Sequence, residues 1–442
     1  MKKFSNLILL LFVICCSENY YAGAMSSKLA PCLAKIACDK IVSDILKSHN
    51  PVDMFKQAKS SLPAELIQEV ENELFNILSF DCKQQYDLSQ TIQSHNAIAS
   101  VCISRDNQLI VTGGNDSSVK IWKFNGSKYE FFQMLEGHFV KVGMSKKDHA
   151  SGYSDLYDPA AQHMDRVDSV LISSDNNLII TGSIDDNSVN IWKFNGSEYT
   201  YFQQLACNSL ILSISISQDQ QIIIVGCDDN TIRFWYFDGD KYNEVQQFFD
   251  PNVYPENLKF SSDKRTITCC SMLGGTSSIR IWKLDGIDPM GVPQYRLANT
   301  IVNWCSHLHT ADLSEDRDII VVASEDLNVL KLSAADYSCS LLQQLSIGGW
   351  AQFVKISYDK SLIMAGRPYA KIDIWKFIKQ QDKYIKIQEL GSDLWLSKAD
   401  LSANGRVVVL AGANGRIEIW KRIPLEKLLE IHAKKSQIFA VE

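Results

Sequence analysis

Four stretches of the chain repeat one ordering of apolar and polar positions. Residues 109–124 read LIVTGGNDSSVKIWKF, 178–194 LIITGSIDDNSVNIWKF, 222–237 IIIVGCDDNTIRFWYF and 407–421 VVVLAGANGRIEIWK. Each begins with a β-branched apolar run, passes a cluster of Gly with Asp, Asn or Ser, and ends in an alternating run that closes on Trp. A continuous apolar run, turn residues and a period-two run predict a buried strand, a tight turn and a second strand. A Ser-x-Asp triplet precedes each pair or its more divergent relatives: Ser104 with Asp106, Ser173 with Asp175, Ser217 with Asp219, Ser261 with Asp263, Ser314 with Asp316 and Ser357 with Asp359. These are turn formers that close an earlier strand. A further strand follows each Trp, as in YEFFQMLE at 129–136.

The repeating unit therefore has four strands. Its marker Trp falls at Trp122, Trp192, Trp235, Trp282, Trp375 and Trp420, with Leu332 expected in its place in one unit (VLKL at 329–332). Seven units result, and periodicity of this kind signals a repeat architecture in which each unit buries its faces against its neighbours.

The units resemble WD repeats, whose fold is a β-propeller. The family's Gly-His pair is matched by Gly137-His138 and, in variant form, by Ser94-His95, and His163 with Val167, Ser169 and Val170 fits its first-strand pattern. Its turn aspartate, six residues before the Trp, is matched by Asp116, Asp186, Asp229 and Asp326 and missing at Thr276, Tyr369 and Asn414; the literal Trp-Asp pair never occurs. The resemblance implies an all-β fold, a seven-bladed β-propeller of four-stranded blades spanning 85–421. Residues 85–93 (QYDLSQTIQ) look like the fourth strands elsewhere but precede the first unit, and Pro424 follows the last Trp closely. Pro suits a strand end poorly and an open ring would leave an exposed edge, so 85–93 is expected to complete the last blade.

Outside the repeats, 29–46 and 63–78 carry apolar residues at helical spacing, with Ser61 placed to cap and Pro63 in a first turn. Residues 25–84 read as a small N-terminal helical segment of two or three helices, and the tail 422–442 as a C-terminal helix expected to pack on the ring. Leu33, Ala37 and Ile41, followed by Leu62, Pro63 and Leu66, weakly resemble the boxes that tether substrate receptors to ubiquitin ligases; a plain helical cap explains them as well. At the N-terminus, Lys2 and Lys3, the apolar run Leu7–Cys16 and Ala22-Gly23-Ala24 form a secretory leader pattern, in bacterial style, with cleavage expected after Ala24. The run is too short for a membrane span, and bulky Val13 and Ile14 disfavour lipid attachment at Cys15 or Cys16. The mature chain is thus expected outside the cytoplasm, periplasmic or secreted.

The net charge of -7 and a pI near 5.7 disfavour nucleic acid as the main partner, since phosphate binding calls for a basic surface. Twelve cysteines would suggest disulfides in an exported protein, but Cys102, Cys207, Cys227, Cys269, Cys270, Cys305 and Cys339 are scattered through apolar segments with no fixed spacing and no C-x-x-C pair, which reads as buried small side chains rather than disulfides or a zinc site. No nucleophile elbow, P-loop, dinucleotide fingerprint or His-Glu-x-x-His helix is present, and no catalytic, metal or cofactor residues are assigned. Asn125-Gly126 and Asn195-Gly196 read as hairpin turns rather than glycosylation acceptors. The expected function is a non-catalytic protein-interaction scaffold, with a ubiquitin-ligase receptor or a channel-mouth enzyme as alternatives. The position seven residues before the Ser that ends each first strand holds Ala97, Arg166, Leu210, Tyr254, His307, Trp350 and Trp395. In WD-repeat proteins it resembles a rim position at the channel mouth. Arg166, Tyr254, His307, Trp350 and Trp395, with Trp304 nearby, are the expected partner-binding residues, aromatic types that anchor interfaces. A long insertion at 139–162 is either functional or disordered.

Overall fold

The computed structural model describes residues 29–48, 50–62, 64–82, 85–136, 166–184, 186–273, 276–289, 291–302, 310–367, 371–379 and 381–439. Residues 1–24, where a leader is expected, Trp304, His307, His163 and the insertion 139–162 lie outside them. The chain divides into two compact units, Leu88–Lys421 and the remainder.

Seven antiparallel four-stranded sheets make up the larger unit. Blade 1 holds β2 (Ile98–Ile103), β3 (Leu109–Gly114), β4 (Ser118–Phe124) and β5 (Tyr129–Glu136), and blade 2 holds β6 (Val167–Ile172) to β9 (Tyr199–Ala206). Blade 3 holds β10 (Ile211–Ile216), β11 (Ile222–Cys227), β12 (Thr231–Phe237) and β13 (Tyr242–Phe249). Blades 4, 5 and 6 run from β14 (Glu256–Phe260) to β17 (Pro293–Val302), β18 (Thr310–Leu313) to β21 (Cys339–Leu345), and β22 (Phe353–Ile356) to β25 (Lys383–Gly391). The first strands of successive blades adjoin one another around the whole circle, β2 next to β6 and, at the far end, β26 (Leu396–Leu401) next to β2, so they line a central channel.

Three local devices, repeated from blade to blade, explain why these segments fold alike. The Ser-x-Asp turn is locked by its own side chains: Ser104 Oγ donates to Asp106 at 2.7 Å and accepts the Leu109 amide at 2.8 Å. The residue after it turns left-handed, as at Asn107, Asn176 and Gln220. Second strands such as β3, β7 (Leu178–Ser183) and β11 are buried along their whole length, because a neighbouring blade covers each face. Lastly, a glutamine on most outer strands clamps the next blade, with Asn299 taking this place in blade 4, where it donates to the Tyr337 carbonyl at 2.9 Å. Gln133 donates to the Tyr199 carbonyl at 2.7 Å and accepts its amide at 2.8 Å, and Gln203 does the same to Tyr242 at 2.7 and 2.8 Å. The clamped tyrosine reaches inward, Tyr199 donating its hydroxyl to the carbonyl of left-handed Asn176 at 2.6 Å.

The ring closes non-sequentially. β1 (Tyr86–Gln93) pairs with β28 (Arg416–Arg422), so the last sheet runs β1-β28-β27-β26, with β27 at Val407–Gly412. Gln90 on β1 clamps Tyr129 of blade 1 at 2.7 and 2.9 Å, as though β1 were an ordinary fourth strand. Beyond β1, the amides of Ser94 and His95 donate to the Gly415 carbonyl at 2.8 and 3.3 Å. Gly415 has φ +77, and a Cβ there would stand 1.7 Å from the His95 carbonyl oxygen.

Two expectations for the fifth unit need correction. Leu330, not Leu332, occupies the Trp position: Ile320 pairs with Leu330 as Ile110 pairs with Trp122. Asp326 is not at the turn-aspartate position, because pairing of the second strand (Ile319–Ala323) with the third (Leu327–Leu332) leaves 324–326 in the turn, where blade 1 leaves 114–118. Counting from Asp326 shifts the register by the missing residues, and both Leu330 and Leu332 are buried, so polarity alone does not separate them.

The smaller unit is helical: α1 (Leu29–Leu46), α2 (Pro51–Ser61), α3 (Ala64–Cys82) and α4 (Leu425–Phe439). Asn50 caps α2, with Pro51 in the first turn, and Ser61 ends that helix instead of capping the next, its Oγ donating to the Gln57 carbonyl at 2.8 Å. α4 buries Leu428 and Leu429 in one cluster with Ile41, Ile45, Phe55, Val70 and Leu74 of the N-terminal helices.

Gly415→Ala should lower stability by on the order of 2 kcal/mol or more, since a left-handed alanine costs about 1–2 kcal/mol before its methyl meets the His95 backbone. Gly126→Ala is the control, since Gly126 also has positive φ but open space around its Cβ. Urea unfolding of both variants checks the closure: equal losses would mean that the Gly415 contact contributes nothing.

Candidate partner-binding rim and channel

In several blades the residue that enters the first strand is fixed through its backbone. The carbonyls of Ala97, Leu210 and Trp395 accept the amides of Asn115, Asp228 and Ala413 at 3.1, 3.0 and 2.8 Å. These positions in blades 1, 3 and 7 are therefore structurally equivalent. The Tyr254 amide donates to Ser271 Oγ at 2.7 Å, and Arg166 ion-pairs with Asp168. Tyr254 is half-buried, and burial pushes its phenol above the ordinary value.

Trp350 and Trp395 stand out. Trp395 is 69% exposed although Leu394 and Leu396 on either side are each 1% exposed, and Trp350 is 46% exposed beside fully buried Ala351. Backbone anchored in the core carries the two indoles outward. Of the expected partner-binding residues, Arg166, Tyr254, Trp350 and Trp395 lie in the segments that enter first strands, while Trp304 and His307 lie outside the described residues.

Below the rim, the channel wall carries charge on one side. The next-to-last position of each first strand holds Cys102, Leu171 and Ser215 in blades 1–3 and Lys259, Asp312, Lys355 and Asp400 in blades 4–7. Lys259 pairs with Asp312 at 2.9 Å and Lys355 with Asp400 at 3.4 Å. Each aspartate also accepts an amide from the following blade, Asp312 from Ile356 at 3.0 Å and Asp400 from Ile103 at 2.9 Å. Asp400 holds the Lys355 ammonium above its ordinary value, and burial, reinforced by Asp400, pushes the Cys102 thiol up to about 12. Every charge in this belt has an opposite neighbour, so it joins blades rather than presenting an open reactive group.

The His-Asp network expected from the turn aspartates is complete in blade 1. His95 Nδ1 meets Asp116 at 2.9 Å, His95 Nε2 meets Thr112 Oγ1 at 3.0 Å, and Trp122 Nε1 donates to the same hydroxyl at 3.3 Å. Burial would raise the Asp116 carboxyl, but hydrogen bonds from His95 and Ser118 overcome it and hold the group well below the usual carboxylate range. This is a structural network despite its resemblance to catalytic relays: Thr112 and His95 are buried and Thr112 Oγ1 is taken up by the histidine and the indole.

Among the described residues, no cluster of three or more His, Cys, Asp or Glu could hold a metal ion, and no helix is long and apolar enough to cross a membrane. The channel belt and the glutamine clamp went unread in the sequence. The clamp had a signal there, a Tyr followed four residues later by Gln in YDLSQ, YEFFQ, YTYFQ and YNEVQ.

A family model, WD domain, G-beta repeat, matches residues 86–123, 161–193 and 200–236. The first match runs from β1 to the third strand of blade 1, so the sequence repeat straddles two blades. No curated protein matches the chain.

Because the folded Asp116 carboxyl titrates below its unfolded value, its stabilisation is complete above the ordinary aspartate range near about pH 4 and is lost as pH falls through the folded value. Asp116→Asn should therefore cost about 1 kcal/mol at neutral pH, and progressively less towards about pH 2. Urea titrations of both proteins across this range measure it; a constant difference would show that ionisation of Asp116 does not stabilise the fold.

Proposed function

We propose, from the premise that this chain is a WD-repeat β-propeller, that it is a non-catalytic docking platform that captures another protein on the rim of blades 4–7. WD-repeat propellers are generally interaction scaffolds, and the reading here rests on one observation: Trp395 is held by buried neighbours on both sides yet leaves its indole mostly in water. A large aromatic side chain fixed in place loses little entropy on binding and gains much from desolvation, which is why tryptophan dominates interface hot spots. Trp350 in the adjacent blade and Tyr254 extend the surface into an arc.

An enzyme at the channel mouth has less support, since the belt lysines Lys259 and Lys355 are each paired with an aspartate. The ubiquitin-ligase reading is also the weaker one. Ile41 is 2% exposed within the helical unit, and Leu62 and Leu66 pack against the same cluster, so these apolar residues are already used internally. An extracytoplasmic location belongs to the proposal and rests on the leader pattern of residues 1–24.

With a partner isolated by affinity capture from the native compartment, the double variant Trp350→Ala and Trp395→Ala should bind at least about 30-fold more weakly, a hot-spot loss of about 2 kcal/mol. Its unfolding midpoint should stay close to that of the parent protein. Calorimetric binding and thermal melts decide the matter: a large fall in midpoint with affinity retained would assign both side chains to the fold and end the proposal.

A further inference from the structure

We infer that Cys207 and Cys227 form a disulfide that cross-links the entry of blade 3 to the end of its second strand.

The argument starts from blade 1. There Ile98 pairs with Gly114, and a Cβ on Gly114 would fall 2.3 Å from His95 Nδ1, so the residue that enters the blade faces the residue that ends β3. Blade 3 has the same register: Ile211 pairs with Cys227, and Ile223 pairs with Trp235 as Ile110 pairs with Trp122. Cys227 thus stands where Gly114 stands, and Cys207 lies in the connection that His95 occupies. Both cysteines are fully buried in one apolar cluster. Each thiol acts on the other's titration, Cys227 raising Cys207 and Cys207 lowering Cys227.

Blade 3 also lacks the network that serves this place in blade 1. Val225 replaces the Thr112 hydroxyl, and no histidine enters the blade, so neither the Trp235 indole nor Asp229 has those partners. Asp229 instead accepts from Thr231 and Arg233. In blade 3 hydrogen bonds already join the same two segments, the Leu210 amide donating to Asp228 at 3.0 Å and the Asp229 amide to Ser209 Oγ at 3.2 Å, and a covalent link between Cys207 and Cys227 would add to them.

The chemistry balances with a low-molecular-weight disulfide as oxidant. The Cys227 thiolate attacks one sulfur of that disulfide, forming a mixed disulfide and expelling one thiolate. Cys207, giving up its proton, attacks the Cys227 sulfur and expels the second. Two protein thiols become one disulfide, and the oxidant is reduced to two thiols. Since both sulfurs end in the core, the bond forms while the chain folds, and an oxidising compartment would favour it.

The test is to refold the full chain from denaturant in a buffer of oxidised and reduced glutathione, alkylate the remaining thiols and map the unreduced digest by mass spectrometry. The expected product is the Cys207 peptide joined to the Cys227 peptide, two hydrogens lighter than their sum and abolished by dithiothreitol. In Cys207→Ser, Cys227 should revert to an alkylated thiol or a glutathione adduct. Recovery of both cysteines of the parent chain as alkylated thiols, or their joining to other cysteines in preference to each other, would overturn the inference. The digest of the parent chain distinguishes these outcomes by itself, even if the variant fails to fold.

Discussion

The ring depends on one pairing, that of β1 with β28, because it hydrogen-bonds the last sheet to the segment that leads covalently into the first. Blades 1 to 6 each complete their own sheet, whereas blade 7 takes its outer strand from the segment that leads into blade 1. Gln90 clamps forward onto Tyr129, the amides after β1 reach back to Gly415, and His95 enters the hydrogen-bonded network of blade 1. A stretch of about ten residues therefore joins the outer strand of the last sheet to the inner edge of the first. Without it, β28 would present an unpaired edge, the feature that closed β architectures avoid.

Closure matters to function because it makes the rim rigid. Leaving a large aromatic side chain in water forgoes on the order of 2 kcal/mol that burial would supply. Trp395 and Trp350 stay outside because their neighbours along the chain are locked into a core that cannot rearrange to cover them. The same half of the ring carries the ionic belt: charged residues line the channel in blades 4–7, and Cys102, Leu171 and Ser215 in blades 1–3. Aspartates that accept both a lysine and an amide of the following blade tie the aromatic half together beneath the proposed binding arc. Polarity is thus built into a repeat architecture by varying one position per blade while the packing positions stay constant.

The repeat was legible in the sequence because strand burial here has a strong signature. Second strands covered on both faces read as unbroken β-branched runs, and third strands alternate up to the Trp. The equivalence of the blade-entry positions Ala97, Leu210 and Trp395 was also legible, since the Ser-x-Asp turn fixes the count back along the first strand. Two kinds of information were not. Where a turn changed length, as at 324–326, the same letters supported two registers, and pairing across the sheet decided for Leu330. Where an interaction joins blades, as Lys259 with Asp312 or Gln133 with Tyr199, its partners are tens of residues apart and nothing local marks them as neighbours.

The entry to each blade shows how one structural requirement can be met by different chemistry. In blade 1 a histidine bridges an aspartate and a threonine, and Gly114 must lack a side chain because the imidazole occupies its space. Replacing the histidine with cysteine frees that space, and blade 3 fills it with a second cysteine. The two substitutions make physical sense together and little sense apart. Gly114→Cys against an imidazole would clash, and a lone cysteine opposite glycine would leave a void in a close-packed core. The pair fills that space even as thiols, so the packing at the blade entry does not depend on whether the proposed cross-link forms as the chain folds.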